Sequence, residues 1–475
     1  MQEKGSYVGR IEYKWLAMVA VSIGTFMATV DSSIVNVSLP VIMASLRTNL
    51  PTIQWVVAIY LLVITGLLLT LGRLADLAGR KLVLVWGYAV FTIGSLLCGL
   101  SRSPFLLIAS RGIQAVGAAM IMANGPAVIT DAFPIGERGK ALGMFAMVVA
   151  SGLTIGPVLG GFIVEAAGWP WIFFVNLPIG VFGMIFVQRV LKCEQLRLEQ
   201  NFDIFGAALF LVSLVSLTMA LSQGPQKGWN SNEIVALLIT CVVFGALFIL
   251  HEKRTPHSIL TLTLFRQRLF AAACASAFIN FSSTFSVAFL MPFYLSQVLG
   301  YEPRRMGLTL TATPITVALV APLSGNLSDR IGSRVLGSIG LGLASIGLVL
   351  IGCLGASPSH IRVVIALVVV GLGTAIFQSP NNNALMSSVP KGMLGVAGGM
   401  LATMRNLGMV TGVAISQAVY SSRLMYYQTR LDDVAARVNA FRDAFLVAAI
   451  ICTIGVITSA VKGQERMNSD ACRIA

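Results

Sequence analysis

Residues 72–81 read GRLADLAGRK and residues 325–334 read GNLSDRIGSR. Gly72 aligns with Gly325, Asp76 with Asp329, Gly79 with Gly332 and Lys81 with Arg334, and a leucine occupies the third position of both. Each decapeptide follows a long apolar run, residues 54–73 in one case and 306–325 in the other. A short charged turn that recurs behind the same kind of helix marks an internal repeat, and the repeat sets the frame for the rest of the chain.

Working outward from the two turns, runs that can cross a bilayer core of roughly 30 Å, which takes about 20 apolar residues, fall at 15–39, 54–73, 82–101, 104–128, 141–165, 172–190, 204–222, 233–250, 269–296, 306–325, 335–355, 361–379, 394–419 and 441–461. That makes fourteen spans. If each repeated turn closes the second helix of a six-helix unit, spans 1–6 and 9–14 form two bundles, at residues 1–193 and 261–475. Spans 7 and 8 are then a transmembrane hairpin inserted at residues 194–260. The predicted fold class is an all-α membrane protein. Pro104 opens the fourth span, where its missing N–H costs nothing because the first turn of a helix leaves that donor unpaired anyway.

Composition agrees. Of 475 residues 56% are hydrophobic and only 11% charged, against about 25% charged in a soluble chain, so there is too little charge to coat a water-soluble particle. The net charge of +14 is no nucleic-acid footprint, because the longest basic clusters are pairs such as Arg80-Lys81 and Lys253-Arg254. The larger share of Lys and Arg falls in loops that are cytoplasmic when the N-terminus is inside, which assigns both termini to the cytoplasm and the chain to the inner membrane. The first apolar run is too long for the core of a cleavable signal and reads as a first span. The seven cysteines form no CxxC pair and read as small core residues, so neither a metal nor a cofactor is expected. No HExxH, GxSxG or phosphate-binding loop supports an enzyme.

Among the acidic residues Asp31 alone lies well inside a predicted span; Glu165 and Asp203 sit at helix ends. A carboxylate in hydrocarbon costs several kcal/mol or more, so such a group normally faces a cavity and marks a functional route. Burial favours its protonated form and a nearby cation its ionised form, so a carboxyl under both influences can exchange a proton when its exposure changes. Arg111, in the fourth span, is predicted at the same depth, roughly 10–13 Å below the outer surface at 1.5 Å per residue. Equal depth permits contact between the two.

Four sequences in order carry a resemblance: Asp31–Pro40 (DSSIVNVSLP) in span 1, the Gly72–Lys81 turn, Arg111–Gly117 (RGIQAVG) in span 4 and Gly152–Gly161 (GLTIGPVLGG) in span 5. The chain resembles, over nearly its whole length, the fourteen-helix drug–proton antiporter family of the major facilitator superfamily. A weaker match is Gly168–Pro178 (GWPWIFFVNLP), where Pro170 replaces the usual Arg. The resemblance implies the major facilitator fold and proton-coupled export of small hydrophobic compounds by alternating access. It links Asp31 and Arg111 to proton coupling. It makes Gly152, Gly156, Pro157 and Gly160 the antiporter element, whose small residues let helices approach and whose proline bends one. Gly72, Asp76, Arg80, Asp329 and Arg334 are the gating candidates, with Arg138 and a helix N-terminus of the opposite bundle as the partners expected to latch the outward-open state. Candidate cavity residues are Asn36, Tyr60 and Gln114 in the first bundle, and Phe281, Phe285, Met291 and Arg405 in the second. Flexible, polarisable side chains such as those on span 9 suit a promiscuous pocket.

The expected partners are a small hydrophobic substrate, protons and the lipid bilayer, with no nucleic acid; adaptor proteins that extend the path are compatible with this reading. A transporter of the same fold with a dedicated lipid, metabolite or organic anion is the competing reading, and a membrane sensor or enzyme the remote one. The topology is tested by labelling: in a cysteine-free background, a cysteine at Tyr427 is expected to react with an impermeant maleimide from outside and one at Ser258 is not. The opposite pattern sinks the fourteen-span map.

Overall fold

The computed structural model describes residues 12–134, 137–192, 204–254, 262–389 and 394–460. The side chains of Asp76, Arg138 and Asp329 lie outside the description, as do the expected unit boundaries at 193/194 and 260/261. The described residues form helices α1 (Tyr13–Ser45), α2 (Leu50–Ile53), α3 (Trp55–Ala78), α4 (Arg80–Gly99), α5 (Pro104–Ala132), α6 (Arg138–Ala167), α7 (Trp171–Phe174), α8 (Asn176–Val190), α9 (Ile204–Lys227), α10 (Asn232–Arg254), α11 (Arg268–Gln297), α12 (Pro303–Leu310), α13 (Ala312–Ile331), α14 (Ser333–Gly352), α15 (His360–Ser387), α16 (Leu394–Gln428) and α17 (Asp433–Ala460). With α2–α3, α7–α8 and α12–α13 each read as one interrupted span, fourteen spans result.

Thirteen of these are both long and apolar enough to cross a membrane. The exception is α16, which has the length but carries Arg405, Asn406, Ser416 and Gln417 in its interior. Helix ends differ from the predicted ones because hydropathy registers only the apolar stretch. The outer loop expected at 420–440 is mostly helical: α16 runs on to Gln428 and α17 starts at Asp433. The extension is held by Asp443, which accepts from the Tyr427 hydroxyl at 2.9 Å and pairs with Arg423 at 3.3 Å. At the start of α5, Ser103 caps the helix by accepting from the Leu106 N–H at 3.3 Å and Pro104 fills the first position.

In the first bundle α1 packs on α5 and α6, α4 on α5 and α8, and α3 on α5. In the second, α11 packs on α16 and α17, α14 on α15 and α17, and α13 on α15. The pair α9–α10 stands beside both, with α9 touching α3 and α16; Gln54 and Ser222 hydrogen-bond across the first of these contacts.

The sequence repeat has a backbone counterpart. Gly79 (φ +94) and Gly332 (φ +90) each end one helix and begin the next. A positive φ is open to glycine at no steric cost, so one residue reverses the chain. The next helix pair crosses equally in both halves. A Cβ on Gly117 would lie 2.3 Å from the Phe91 nitrogen and 2.7 Å from the Gly87 carbonyl; one on Gly373 would lie 2.2 Å from the Ala344 nitrogen and 2.6 Å from the Gly340 carbonyl.

The bundles close on each other at the end away from the termini. There a Cβ on Gly161 of α6 would meet the Pro303 carbonyl at 2.5 Å, and one on Gly307 of α12 would meet the Pro157 carbonyl at 2.2 Å. The main apolar core joins both bundles through residues such as Phe289, Phe293 and Met306. Toward the termini the second bundle has a separate small core that includes Phe270, Leu385 and Met400. Two bundles are thus packed together at one end.

Because the α4–α5 and α14–α15 crossings are backbone on backbone, Gly117→Ala and Gly373→Ala are each expected to lower the thermal stability of the detergent-solubilised protein by several degrees. Gly342→Ala, with nothing within 4 Å of the added methyl, is expected to leave it unchanged.

Candidate functional site

Asp31 and Arg111 meet at the centre of the first bundle. The Arg111 Nη1 lies 2.5 Å from the Asp31 Oδ2, and neither side chain is more than 1% exposed. The guanidinium is held on its remaining sides: Nε donates to the Val56 carbonyl at 3.1 Å, Nη1 also donates to the Gln114 Oε1 at 2.6 Å, and its carbon lies 4.0 Å from the centre of the Tyr60 ring. Gln114 reaches Arg111 because three residues along a helix return to the same face. Its amide nitrogen donates to the Asp31 Oδ1 at 2.9 Å and the Ser95 Oγ at 2.7 Å. The amide of Asn176 donates to the same Oδ1, also at 2.9 Å. Every hydrogen bond to the carboxylate thus comes from an N–H, an arrangement that suits the ionised form.

The segment of α1 around Asp31 is clamped by α6. Gly152, Gly156 and Gly160 recur every four residues and line one face. Cβ atoms there would meet Thr29 Oγ1 at 2.1 Å, Ser33 Cβ at 2.5 Å and the Ile34 carbonyl at 3.2 Å. Pro157 has no N–H for the carbonyl one turn earlier, that of Leu153. The Ser33 hydroxyl takes over, donating to the Leu153 carbonyl at 3.0 Å. The opposite face of α6 carries Gly161 and the Pro157 carbonyl against α12, and the Glu165 carboxylate accepts from the Arg304 N–H at 3.2 Å. One helix therefore touches the ion pair's support on one side and the other bundle on the other.

The family model described as the Major Facilitator Superfamily matches residues 21–413, and again 273–466, a stretch that falls on the second bundle. The chain belongs to the major facilitator superfamily. Among curated relatives, the riboflavin transporter RibZ of Clostridioides difficile (strain 630) is 36% identical over 451 residues, which cover 94% of this chain and 97% of that one. The multidrug resistance protein Stp of Mycobacterium tuberculosis (strain H37Rv) is 34% identical over 410 residues, 86% of this chain and 76% of that one. A solved bacterial homologue of the human lysosomal transporter Spinster superposes with a TM-score of 0.68 at 14% identity, over 96% of this chain and 98% of that one, so the shared fold extends beyond close relatives. The protein is a multi-pass membrane transporter of the superfamily and not an enzyme.

The other residues singled out in the sequence are scattered. Arg80, one of the gating candidates, pairs with Asp131 of α5 and donates to the Ala127 carbonyl at 3.4 Å. The Gly79 turn sets Arg80 beside the C-terminal end of α5, whose free carbonyls favour a cation. Gly72 is half-buried and faces the Ala123 methyl, and Arg334 is exposed. Tyr60 and Gln114 belong to the ion-pair network. Met291 is fully buried in the core, and Phe281 and Phe285 pack against that core. Arg405 is half-buried on α16, three residues before Gly408, which abuts the Phe278 carbonyl of α11.

Three features escaped the sequence reading: the Ser95 hydroxyl, the Asn176 amide and a set of buried polar atoms without a partner. These include both amide atoms of Asn280 on α11 and the Asn406 Nδ2 and Gln417 Oε1 on α16; the Oδ1 of Asn36 on α1, a residue the sequence did single out as a cavity candidate, is likewise without a partner. Buried polar atoms are normally paired with protein or water, so these are the atoms best placed to meet a polar ligand. No spacing signal announces Ser95, since it reaches the pair from a different helix; Asn176 stood inside the Gly168–Pro178 match but gave no hint of its direction.

Removing one member of a buried pair leaves the other charge unpaired, at a cost of about 3–5 kcal/mol. Arg111→Leu is therefore expected to deplete the folded protein, and the double variant Asp31→Asn with Arg111→Leu to recover much of it, read by thermal unfolding and by the amount in the membrane. A double variant no more stable than the single one would show that the pair is not coupled.

Proposed function

We propose that the chain is a proton-coupled antiporter that exports small hydrophobic compounds by alternating access, with Asp31 as the proton carrier and Arg111 as the group that favours release of the proton. The observation that carries this reading is the buried Asp31–Arg111 pair with its all-donor surroundings. In this arrangement a proton on Asp31 has no acceptor and leaves Arg111 charged without its counter-ion. Protonation therefore demands a different arrangement of α1 and α5, and a titratable group that selects between two packings is what couples a proton to a conformational cycle. The clamp of α6 on α1 supports the transfer of that change to the contact with α12.

Export of diverse compounds is supported by the similarity to Stp, a protein named for multidrug resistance, and by the Phe- and Met-bearing stretch of α11. A dedicated substrate is the second reading. RibZ, named as a riboflavin transporter, is similar along nearly the full length of both chains, and the unpartnered amides on α1, α11 and α16 favour a ligand held by hydrogen bonds. On either reading the protein sits in the inner membrane with both termini in the cytoplasm, and envelope-spanning adaptor proteins are compatible partners.

Inverted vesicles loaded with a pH-sensitive dye distinguish the two. Ethidium, a lipophilic anion, a lysolipid and riboflavin are offered in turn under an imposed proton gradient. Multidrug antiport predicts accumulation of ethidium with proton release from several chemically unrelated compounds, whereas a response to riboflavin alone supports the dedicated carrier. Asp31→Asn is expected to abolish substrate-induced proton release while downhill exchange persists. Uphill transport by Asp31→Asn at the normal rate and proton stoichiometry would refute the assignment of Asp31.

A further inference from the structure

Asn176 is the first residue of α8, 1% exposed, and belongs to the segment that begins after α6 ends at Ala167. Its neighbourhood explains how a residue of the Gly168–Pro178 stretch reaches the interior of the first bundle. Pro178 cannot donate to the Phe174 carbonyl, and the helix is interrupted at Val175 between α7 and α8. The same segment brings the Phe173 ring to 5.9 Å from the Arg111 guanidinium. Residues 173–176 thus close over the Asp31–Arg111 pair, with the Asn176 amide as their polar contact to it.

The two amides on the Asp31 Oδ1 are not equally fixed. Gln114 is tied at both ends, since its oxygen accepts from Arg111 at 2.6 Å while its nitrogen donates to Ser95 at 2.7 Å. Turning it over would point an N–H at a guanidinium and oppose two sets of donors. Asn176 has the 2.9 Å bond to Asp31 and only a long 3.5 Å contact to Ser95. It is the amide that can turn, and a turned amide presents the carbonyl oxygen that a protonated carboxyl needs as an acceptor.

We propose that Asn176 is a positioning residue of the proton step: it donates to Asp31 in the ionised, Arg111-paired state and reverses its amide to accept from Asp31 when the carboxyl is protonated. The proposal rests on Asp31 being the proton carrier. It assigns to the α7–α8 junction the task of registering that proton, because the amide cannot turn without changing what holds α8 to α1.

The test needs no transport substrate. Infrared difference spectra of the full-length protein in lipid are recorded across a pH titration, and the carboxylic band of Asp31 is identified by its loss in Asp31→Asn. In the unaltered protein an asparagine side-chain carbonyl band is expected to shift with the same midpoint, and to be missing in Asn176→Leu. A hydrogen bond to a charged group is roughly twice as strong as a neutral one. Loss of Asn176 therefore acts unequally on the two forms, and the Asp31 band is expected to titrate at a midpoint different from that of the unaltered protein. Asn176→Ser, which keeps a short group able both to donate and to accept, is the gentler second variant, and its midpoint is expected to lie between those of the unaltered protein and Asn176→Leu. An Asp31 midpoint unchanged in both variants overturns the proposal, as does a shifted midpoint with no accompanying asparagine band in the unaltered protein. If Asp31→Asn removes no titrating band at all, it is the reading of Asp31 as proton carrier that fails.

Discussion

A charge in the middle of a bilayer has to be matched, and the match between Asp31 and Arg111 organises the first bundle. Neither ion is stable there alone; together they form a neutral unit whose remaining hydrogen-bonding capacity is taken up by Gln114, Asn176, the Val56 carbonyl and the Tyr60 face. Five segments, α1, α3, α4, α5 and α8, converge on one point because the pair and its supports draw on each of them. Such a pair is a poor source of net stability, since desolvation offsets much of the attraction. On the proposed mechanism its role is instead to lose its neutrality when a proton arrives, and so to change which packing of the helices is favoured.

The glycine row of α6 gives that change a mechanical outlet. Gly152, Gly156 and Gly160 press on the α1 turns on either side of Asp31, and Gly161 with the Pro157 carbonyl presses on α12. Packed interfaces of this kind are bistable and do not deform continuously, so on the proposed mechanism a shift of α1 relative to α6 would be expressed at the closed end. Ser33 takes part in both interactions. It is the contact met by a side chain at Gly156, and it satisfies the Leu153 carbonyl that Pro157 leaves free. The proline is tolerated inside a membrane helix because this hydroxyl repairs the backbone.

Much of this was legible in the residues. Hydropathy marked runs that coincide with the long helices, the repeated turn has a backbone counterpart in Gly79 and Gly332, and the rarity of buried acids singled out Asp31. Helix rise placed Arg111 at the right depth, because depth along a helix is a one-dimensional property of sequence. What was not legible depends on rotation and on partners from elsewhere. The direction of Asn176 follows from a break at Val175, and Ser95 gains its meaning from Gln114 on another helix. The contact of Arg80 with Asp131 likewise comes from another helix, α5. The length of α16 was underestimated because its last turns are polar and are held by Asp443.

The repeat also shows where the halves part company. With Gly79 set on Gly332 and Gly117 on Gly373, Ser95 corresponds to Leu348, Arg111 to Leu367 and Gln114 to Val370. All three counterparts are buried in the apolar core of the second bundle. The same backbone crossing therefore encloses a polar network in one half and plain hydrocarbon in the other. Among the described residues, the Asp31–Arg111 bridge is the one ion pair with both partners fully buried. On the proposed mechanism the second bundle has nothing at this position to titrate, and it follows a rearrangement that starts in the first. A single carboxyl of this kind carries at most one proton per cycle by this route. Export of a monovalent cation would then be electrically neutral, and export of an uncharged compound would move net charge across the membrane.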